Sequence, residues 1–287
     1  MSHASKSGWT EVRWSVSVEL ADELTDLLAE RLEGSVLIEI QGDRAELVGA
    51  VEQSRDTEGW RDELTRALAP MGSEAPTFRR LDDHDWKNAW REVWKPFRVG
   101  PFAIVPRDFA GELRATDQRI VLEPGVAFGT GRHATTRACL LALGELDVQG
   151  ARVLDAGSGS GLLGVAAALR GAASVEGFDL DPHAVPVAVE LARDNGVAAR
   201  CDFVAAGFEY LSGSTKTYHL VFANIYADVI IERAGALARA LEPNGTLVVS
   251  GCARERREQV LAALALEGLR PSVEYGRRWR TFVCARS

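Results

Sequence analysis

The sequence predicts an α/β chain in two parts: a small α+β domain, then a larger and mostly parallel sheet covered by helices on both faces. Three observations carry this. At 287 residues the chain is too long for one ordinary domain and comfortable for two, at about 100–200 residues per domain. From Thr135 onward, short apolar segments alternate with helical ones, the pattern of a parallel sheet. The first 80 residues instead run strand–helix–strand–strand–helix, a small sandwich. A hydrophobic share of 46% with 26% charged residues is ordinary globular composition.

Val12 to Val18 alternate apolar and polar residues, as a half-buried strand does. Ala21 to Leu32 places Leu24, Leu27, Leu28 and Leu32 on one helical face, ended by Gly34. Ser35–Ile40 and Arg44–Val51 read as strands around the turn residues Gly42 and Asp43. A helix over Trp60–Leu68 stops before Pro70, and a strand at Thr77–Leu81 completes a ferredoxin-like order. Residues 1–80 are therefore read as the first domain and 81–123 as a linker. In that linker Trp86, Trp90 and Trp94 fall on one helical stripe, and strand-like FAIVP and RIVLE pieces follow. The stripe fits an interdomain helix buried by both neighbours, or a partly exposed platform for a substrate protein.

The second domain, 124–287, has strands near Arg152–Ala156, Val175–Asp179, Cys201–Ala205, His219–Ala223 and Thr246–Ser250. Helices over Leu162–Arg170, His183–Asn195, Ala227–Leu241 and Arg254–Glu267 separate or follow them. Ser272–Tyr275 and Arg280–Ala285, joined by a short turn, read as an antiparallel closing pair, which plain dinucleotide-binding folds lack.

The net charge of −8 argues against a general nucleic-acid binder, so no direct nucleic-acid partner is expected. The charge is uneven. Residues 1–75 hold 16 acidic and 7 basic side chains, and the remainder balances to +1. The acidic end is read as an attraction for a basic partner or as a solvated surface. Cys139, Cys201, Cys252 and Cys284 lie 62, 51 and 32 positions apart, without CxxC or His/Cys spacing. Neither a metal site nor a redox pair is expected. Met1–Trp9 is polar, without a signal peptide's apolar region. No stretch approaches the roughly 20 apolar residues of a membrane span. A cytoplasmic monomer is expected.

The chemistry concentrates at Val153-Leu154-Asp155-Ala156-Gly157-Ser158-Gly159-Ser160-Gly161, a strand entering a glycine-rich turn before a helix. Glycines let backbone approach a ligand, and the helix start offers unpaired N–H groups. Asp179, 22 residues after Gly157, ends the next strand, where a carboxylate can accept from ribose hydroxyls. Gly159, Gly161 and Gly164 also satisfy GxGxxG, which leaves a nicotinamide cofactor and an oxidoreductase open. Two details favour S-adenosyl-L-methionine. Asp155 puts a carboxylate beside the turn, suited to a cationic amino-acid end and repelling a pyrophosphate. Asn224, in Asn224-Ile225-Tyr226-Ala227, offers a neutral amide to an incoming amine. Upstream, Glu123 to Thr136 (EPGVAFGTGRHATT) makes a loop able to cover a ligand, with Thr135 and Thr136 as helix N-cap types. His133 in that loop is structural, solvated or functional.

EPGVAFGTGRHATT, VLDAGSGSGLLGVAA, GFDLDPHAVPVA and NIYA, in this order and spacing, resemble the bacterial ribosomal protein L11 methyltransferase family (PrmA). DWKNAWREVWKP is similar to that family's linker helix, and the resemblance covers residues 82–287 best. Arg132, Ala134 and Ser158 depart from its commoner residues. The resemblance implies a class I, Rossmann-like methyltransferase sheet with an antiparallel closing strand, behind a substrate-recognition domain. It implies methyl transfer from S-adenosyl-L-methionine to lysine side chains and the α-amine of ribosomal protein L11. Another protein lysine or a small molecule is the alternative acceptor. Thr136, Gly157, Asp179 and Asn224 stand at the family's cofactor contacts, beside Gly159, Gly161 and Asp155, with Phe128 and Gly129 closing over the cofactor. Asn224 orients the amine, and His133 is the residual candidate base.

Overall fold

The computed structural model describes residues 8–286 except 33–35, 72–73, 82–95, 124–128, 130 and 277. Trp86, Trp90, Trp94 and Phe128 therefore lie outside the described residues. The chain divides into two compact units, residues 1–95 and 96–287.

In the first unit β1 (Trp9–Ser17), α1 (Ala21–Leu32), β2 (Val36–Gln41), β3 (Arg44–Glu52), α2 (Glu58–Leu68) and β4 (Thr77–Leu81) follow in order. The sheet order is β2-β3-β1-β4, with every pair antiparallel. Alternation puts Val12, Trp14 and Val16 on the buried face of β1. Against them pack Leu24, Leu28 and Leu32 of α1 and Leu64 and Leu68 of α2. Helix α2 starts two residues before the expected Trp60. Thr57 caps it by accepting the N–H of Trp60 at 3.2 Å, a signal that apolar periodicity does not carry.

Among the described residues of this unit two carboxylates are buried, each held by arginines. Glu11 is met by Arg13 and Arg79; burial pushes its carboxyl up, but the guanidiniums outweigh it and leave it below the usual range. Asp56, in the turn after β3, accepts from Arg61 at 2.5 and 2.6 Å, from Thr10 at 2.7 Å and from Arg80 at 3.3 Å. It thereby joins β1, α2 and β4.

The second unit begins with β5 (Phe97–Val99), β6 (Phe102–Val105) and β7 (Gln118–Val121), a separate three-stranded sheet. The FAIVP and RIVLE pieces pair with each other in parallel, and Phe97–Val99, which no sequence pattern announces, joins them. Helix α3 (Ala134–Glu145) leads into β8 (Arg152–Ala156), α4 (Leu162–Leu169), β9 (Ser174–Asp179), α5 (Ala184–Asp194) and β10 (Cys201–Ala205). Then come β11 (Tyr218–Asn224), α6 (Ala227–Ala240), β12 (Leu241–Ala253), α7 (Arg257–Leu266), β13 (Leu269–Tyr275) and β14 (Trp279–Arg286). Seven strands form one sheet in the order β10-β9-β8-β11-β12-β14-β13. The first five run parallel, and β14 lies antiparallel to both β12 and β13. Central strands are apolar on both faces because helices cover both: Leu154, Val221, Leu247 and Val249 are completely buried.

Among the described residues no helix is long and apolar enough to cross a membrane, and no group of three metal-ligating side chains forms. The four cysteines are free thiols.

The hydrogen bonds of Arg61 above all hold the Asp56 carboxyl down at about 2. A depressed folded-state value means stability present above the unfolded value near 3.8 and lost as pH falls toward 2. Asp56→Asn is expected to lower the urea midpoint for amide protection of β1 and β3 at pH 7. That deficit should shrink as pH falls from 5 toward 2; equal midpoints at pH 7 would contradict the assignment.

Candidate active site

The strand order sets where a ligand can sit. From β8 the chain steps outward through β9 to β10, then returns to place β11 on the other side of β8. The connections after β8 and β11 therefore leave in opposite directions and open a crevice at their C-terminal ends. The glycine turn follows β8, Asp179 ends β9 and Asn224 ends β11, so sequence-distant residues meet at one edge.

The turn is built from backbone. Gly157, Gly159 and Gly161 all take positive φ, at 75°, 50° and 76°. A Cβ on Gly161 would lie 2.7 Å from that of Ala188, so space as well as φ demands glycine there. The N–H groups of Gly157 and Ser158 reach the Phe178 carbonyl at 2.8 and 3.0 Å. Gly159 N–H donates to Asp179 Oδ2 at 2.7 Å, while Oδ1 of the same carboxylate takes the N–H of Asp181 at 2.9 Å. Gly164, the last glycine of GxGxxG, packs α4 onto β9, where a Cβ would lie 2.8 Å from Val175.

Asp155 departs from the sequence expectation. Its side chain is buried, and Oδ2 accepts the N–H of Gly164 at 3.0 Å, tying β8 to α4. Burial, with a further push from Asp179, raises its carboxyl to about 8. It lies inside the fold, bonded to the Gly164 N–H, rather than as an open carboxylate facing a cationic ligand.

At the start of α3 the cap is His133, not a threonine. Its Nδ1 accepts the N–H of Thr135 at 3.3 Å and lies 2.7 Å from Thr135 Oγ1. The ring also meets Trp279 edge-on at 5.8 Å between centroids. These contacts give His133 a structural task. Thr136, in the first turn, accepts from Asn224 Nδ2 at 3.2 Å across 88 positions of sequence. The Gly129 carbonyl accepts from Ser160 Oγ at 2.9 Å, which joins the upstream loop to the glycine turn. Sequence reasoning missed Ser160 and Trp279, because single residues without periodicity carry no signal of a distant partner. Leu180, next to Asp179, and Tyr226, two residues past Asn224, are 80% and 81% exposed.

A family model described as "Ribosomal protein L11 methyltransferase (PrmA)" matches residues 8–286. The ribosomal protein L11 methyltransferase of Methylococcus capsulatus is 34% identical over 277 residues, 91% of this chain and 92% of that protein. Its counterpart from Pelotomaculum thermopropionicum is 41% identical over 214 residues, 72% of this chain and 68% of that one. The crystal structure of a ribosomal protein L11 methylase from Lactobacillus delbrueckii subsp. bulgaricus superposes with a TM-score of 0.62 at 27% identity. That match covers 68% of this chain and all of the other.

A buried acid with a raised value stabilises the fold fully below its unfolded value near 3.8, and less as pH rises toward 8. The melting temperature of the second unit is therefore expected to fall between pH 5 and pH 8. Asp155→Asn keeps an acceptor for Gly164 without the charge, and its melting temperature should be flatter over that range. Parallel profiles would refute an ionisable, buried Asp155.

Proposed function

The chain belongs to the ribosomal protein L11 methyltransferase (PrmA) family, and from that premise we propose that it methylates ribosomal protein L11 at lysine side chains and the α-amine. The observation that carries the reading is the meeting of Asp179, the glycine turn, Thr136 and Asn224 at the switch point of the sheet. S-adenosyl-L-methionine, when bound, supplies a methyl group already activated on a sulfonium.

The residues present fit that cofactor. Each oxygen of Asp179 uses one lone pair on a backbone N–H and keeps another for a ribose hydroxyl. Gly157, Gly159 and Gly161 carry no side chains, so a ligand can approach main chain at those positions. Gly129 adjoins the same turn through Ser160 and belongs to the loop assigned to close over the cofactor. Asp155 acts from behind, by holding the start of α4.

Asn224 faces the acceptor in this reading. Its Nδ2 is engaged by Thr136, and its Oδ1 takes no bond from the described residues, which leaves an acceptor for an amine N–H. A lysine ammonium, with a usual pKa of about 10.4, must lose its proton before it attacks. Burial in the crevice disfavours the charged amine, and the proton leaves to water. Alignment and exclusion of water then supply most of the acceleration, without a dedicated strong base. His133, engaged as a helix cap, has no required place in the proton's path.

The first unit is proposed to recognise the substrate, with its acidic surface attracting a basic ribosomal protein. Its two buried carboxylates are neutralised internally by arginines, so attraction falls to exposed acids such as Asp62 and Glu63.

Incubation with labelled S-adenosyl-L-methionine and L11 from undermethylated cells is expected to add whole methyl groups to L11 lysines and its N-terminus by mass spectrometry. Unlabelled L11 would overturn the reading. In that assay Asn224→Ala should lower kcat by about 100-fold through misalignment of the amine. Charge reversal at Asp62 and Glu63 to lysine should raise the KM for L11 and weaken its salt dependence, with kcat retained. An unchanged KM would make those acids a solvated surface only.

A further inference from the structure

Ser250, near the end of β12, is completely buried, and so is Thr281 of β14. Their hydroxyl oxygens lie 2.6 Å apart, a firm hydrogen bond. Ser250 Oγ also lies 3.5 Å from the carbonyl of Thr135, and the Ser250 carbonyl accepts the N–H of Ile225 at 3.2 Å. One residue thus touches three segments that each carry part of the site. These are the first turn of α3 with Thr136, the turn after Asn224, and the start of β14 beside Trp279.

The hydroxyls close this arrangement economically. Thr281 has one proton to donate to Ser250, which leaves the Ser250 proton for the Thr135 carbonyl. A polar pair in an apolar layer is not needed for stability, since replacing both partners by apolar groups of similar shape is often nearly neutral.

The backbone adds an independent observation. The β12–β14 register shifts between Val249 and Cys252, so the ladder is interrupted at Ser250 and Gly251. Gly251 takes φ of 86°, and a Cβ there would lie 2.1 Å from the Ile225 carbonyl oxygen. The irregularity presses β12 backbone directly against the turn that carries Asn224. Irregularities of this kind re-aim side chains beside active sites.

We propose that Ser250, clamped by Thr281 across the interrupted β12–β14 ladder, is a positioning residue that sets Asn224 against Thr136 and so aligns the acceptor amine. The inference rests on the methyltransferase reading of the same site. Ser250 touches neither acceptor nor cofactor in this account. It acts through the α3 carbonyl and the Ile225 N–H, and its effect falls on turnover rather than on cofactor affinity.

The test uses the full-length enzyme and the variants Ser250→Ala, Thr281→Val, Thr281→Ser and the Ser250→Ala/Thr281→Val pair. Readouts are kcat, the KM for L11, calorimetric affinity for S-adenosylhomocysteine, and melting temperature. Ser250→Ala and Thr281→Val are each expected to lower kcat by about tenfold, the scale of a small misplacement of reacting groups. Affinity for S-adenosylhomocysteine should stay within about twofold, and the double variant should lose little more than either single, as coupled residues do. Thr281→Ser restores the hydroxyl, and with it kcat. Wild-type kcat in Ser250→Ala overturns the proposal, and so does a loss of cofactor affinity that matches the loss of kcat. Failure of Thr281→Ser to exceed Thr281→Val does the same even if the alanine variant unfolds. These outcomes leave the methyltransferase reading standing, whereas a wild-type enzyme that methylates no acceptor defeats both.

Discussion

Three N–H groups of the glycine turn depend on oxygens supplied by the end of β9. The Phe178 carbonyl takes two of them and the Asp179 carboxylate takes the third. A turn that bends the chain sharply off a parallel strand leaves those N–H groups without sheet partners, and an unpaired buried N–H is costly. With β9 holding them, the turn can keep three left-handed glycines in five residues and start α4 on Gly161 without a side-chain cap. The same carboxylate therefore holds the turn in shape while taking the N–H of Asp181 on its other oxygen.

Around that anchor, the polar groups differ in what they can afford to show. Asp155 is sealed under α4, where burial pushes its carboxyl up; Asp179, at the crevice, remains partly exposed. Two acids one strand apart thus stand in different surroundings, one sealed in the fold and the other taking backbone N–H groups at a partly open edge. Asn224 and Thr136 meet through neutral groups, without any charge.

The strands and helices of the second unit were legible in the sequence because their periodicity is strong. Ala227 opens α6 and Cys201–Ala205 forms β10 as the apolar pattern indicates. Asp179 and Asn224 were legible as strand ends, and parallel strands bring their ends to one edge. What escaped was side-chain partnership. Nothing in Asp155-Ala156-Gly157 tells whether the carboxyl faces a ligand or the N–H of Gly164, since both lie within reach of the same turn. His133 stood beside two better capping types, and its role as the cap depends on where the loop enters α3. The Ser250–Thr281 pair joins residues 31 apart through a break in register, and a break in register has no composition of its own.

Strand β14 is the last element of the chain, yet it lies between β12 and β13 rather than at an edge. During synthesis, β12 can pair with β11 early, but its other edge stays bare and β13 has no partner until residues 279–286 have emerged. The site shares this delay, because Thr281 and Trp279 come from the same strand. Residues up to 286 must therefore emerge before β12 gains its second neighbour. Until then the unpaired edge of β12 is the part of the nascent protein most open to a wrong strand.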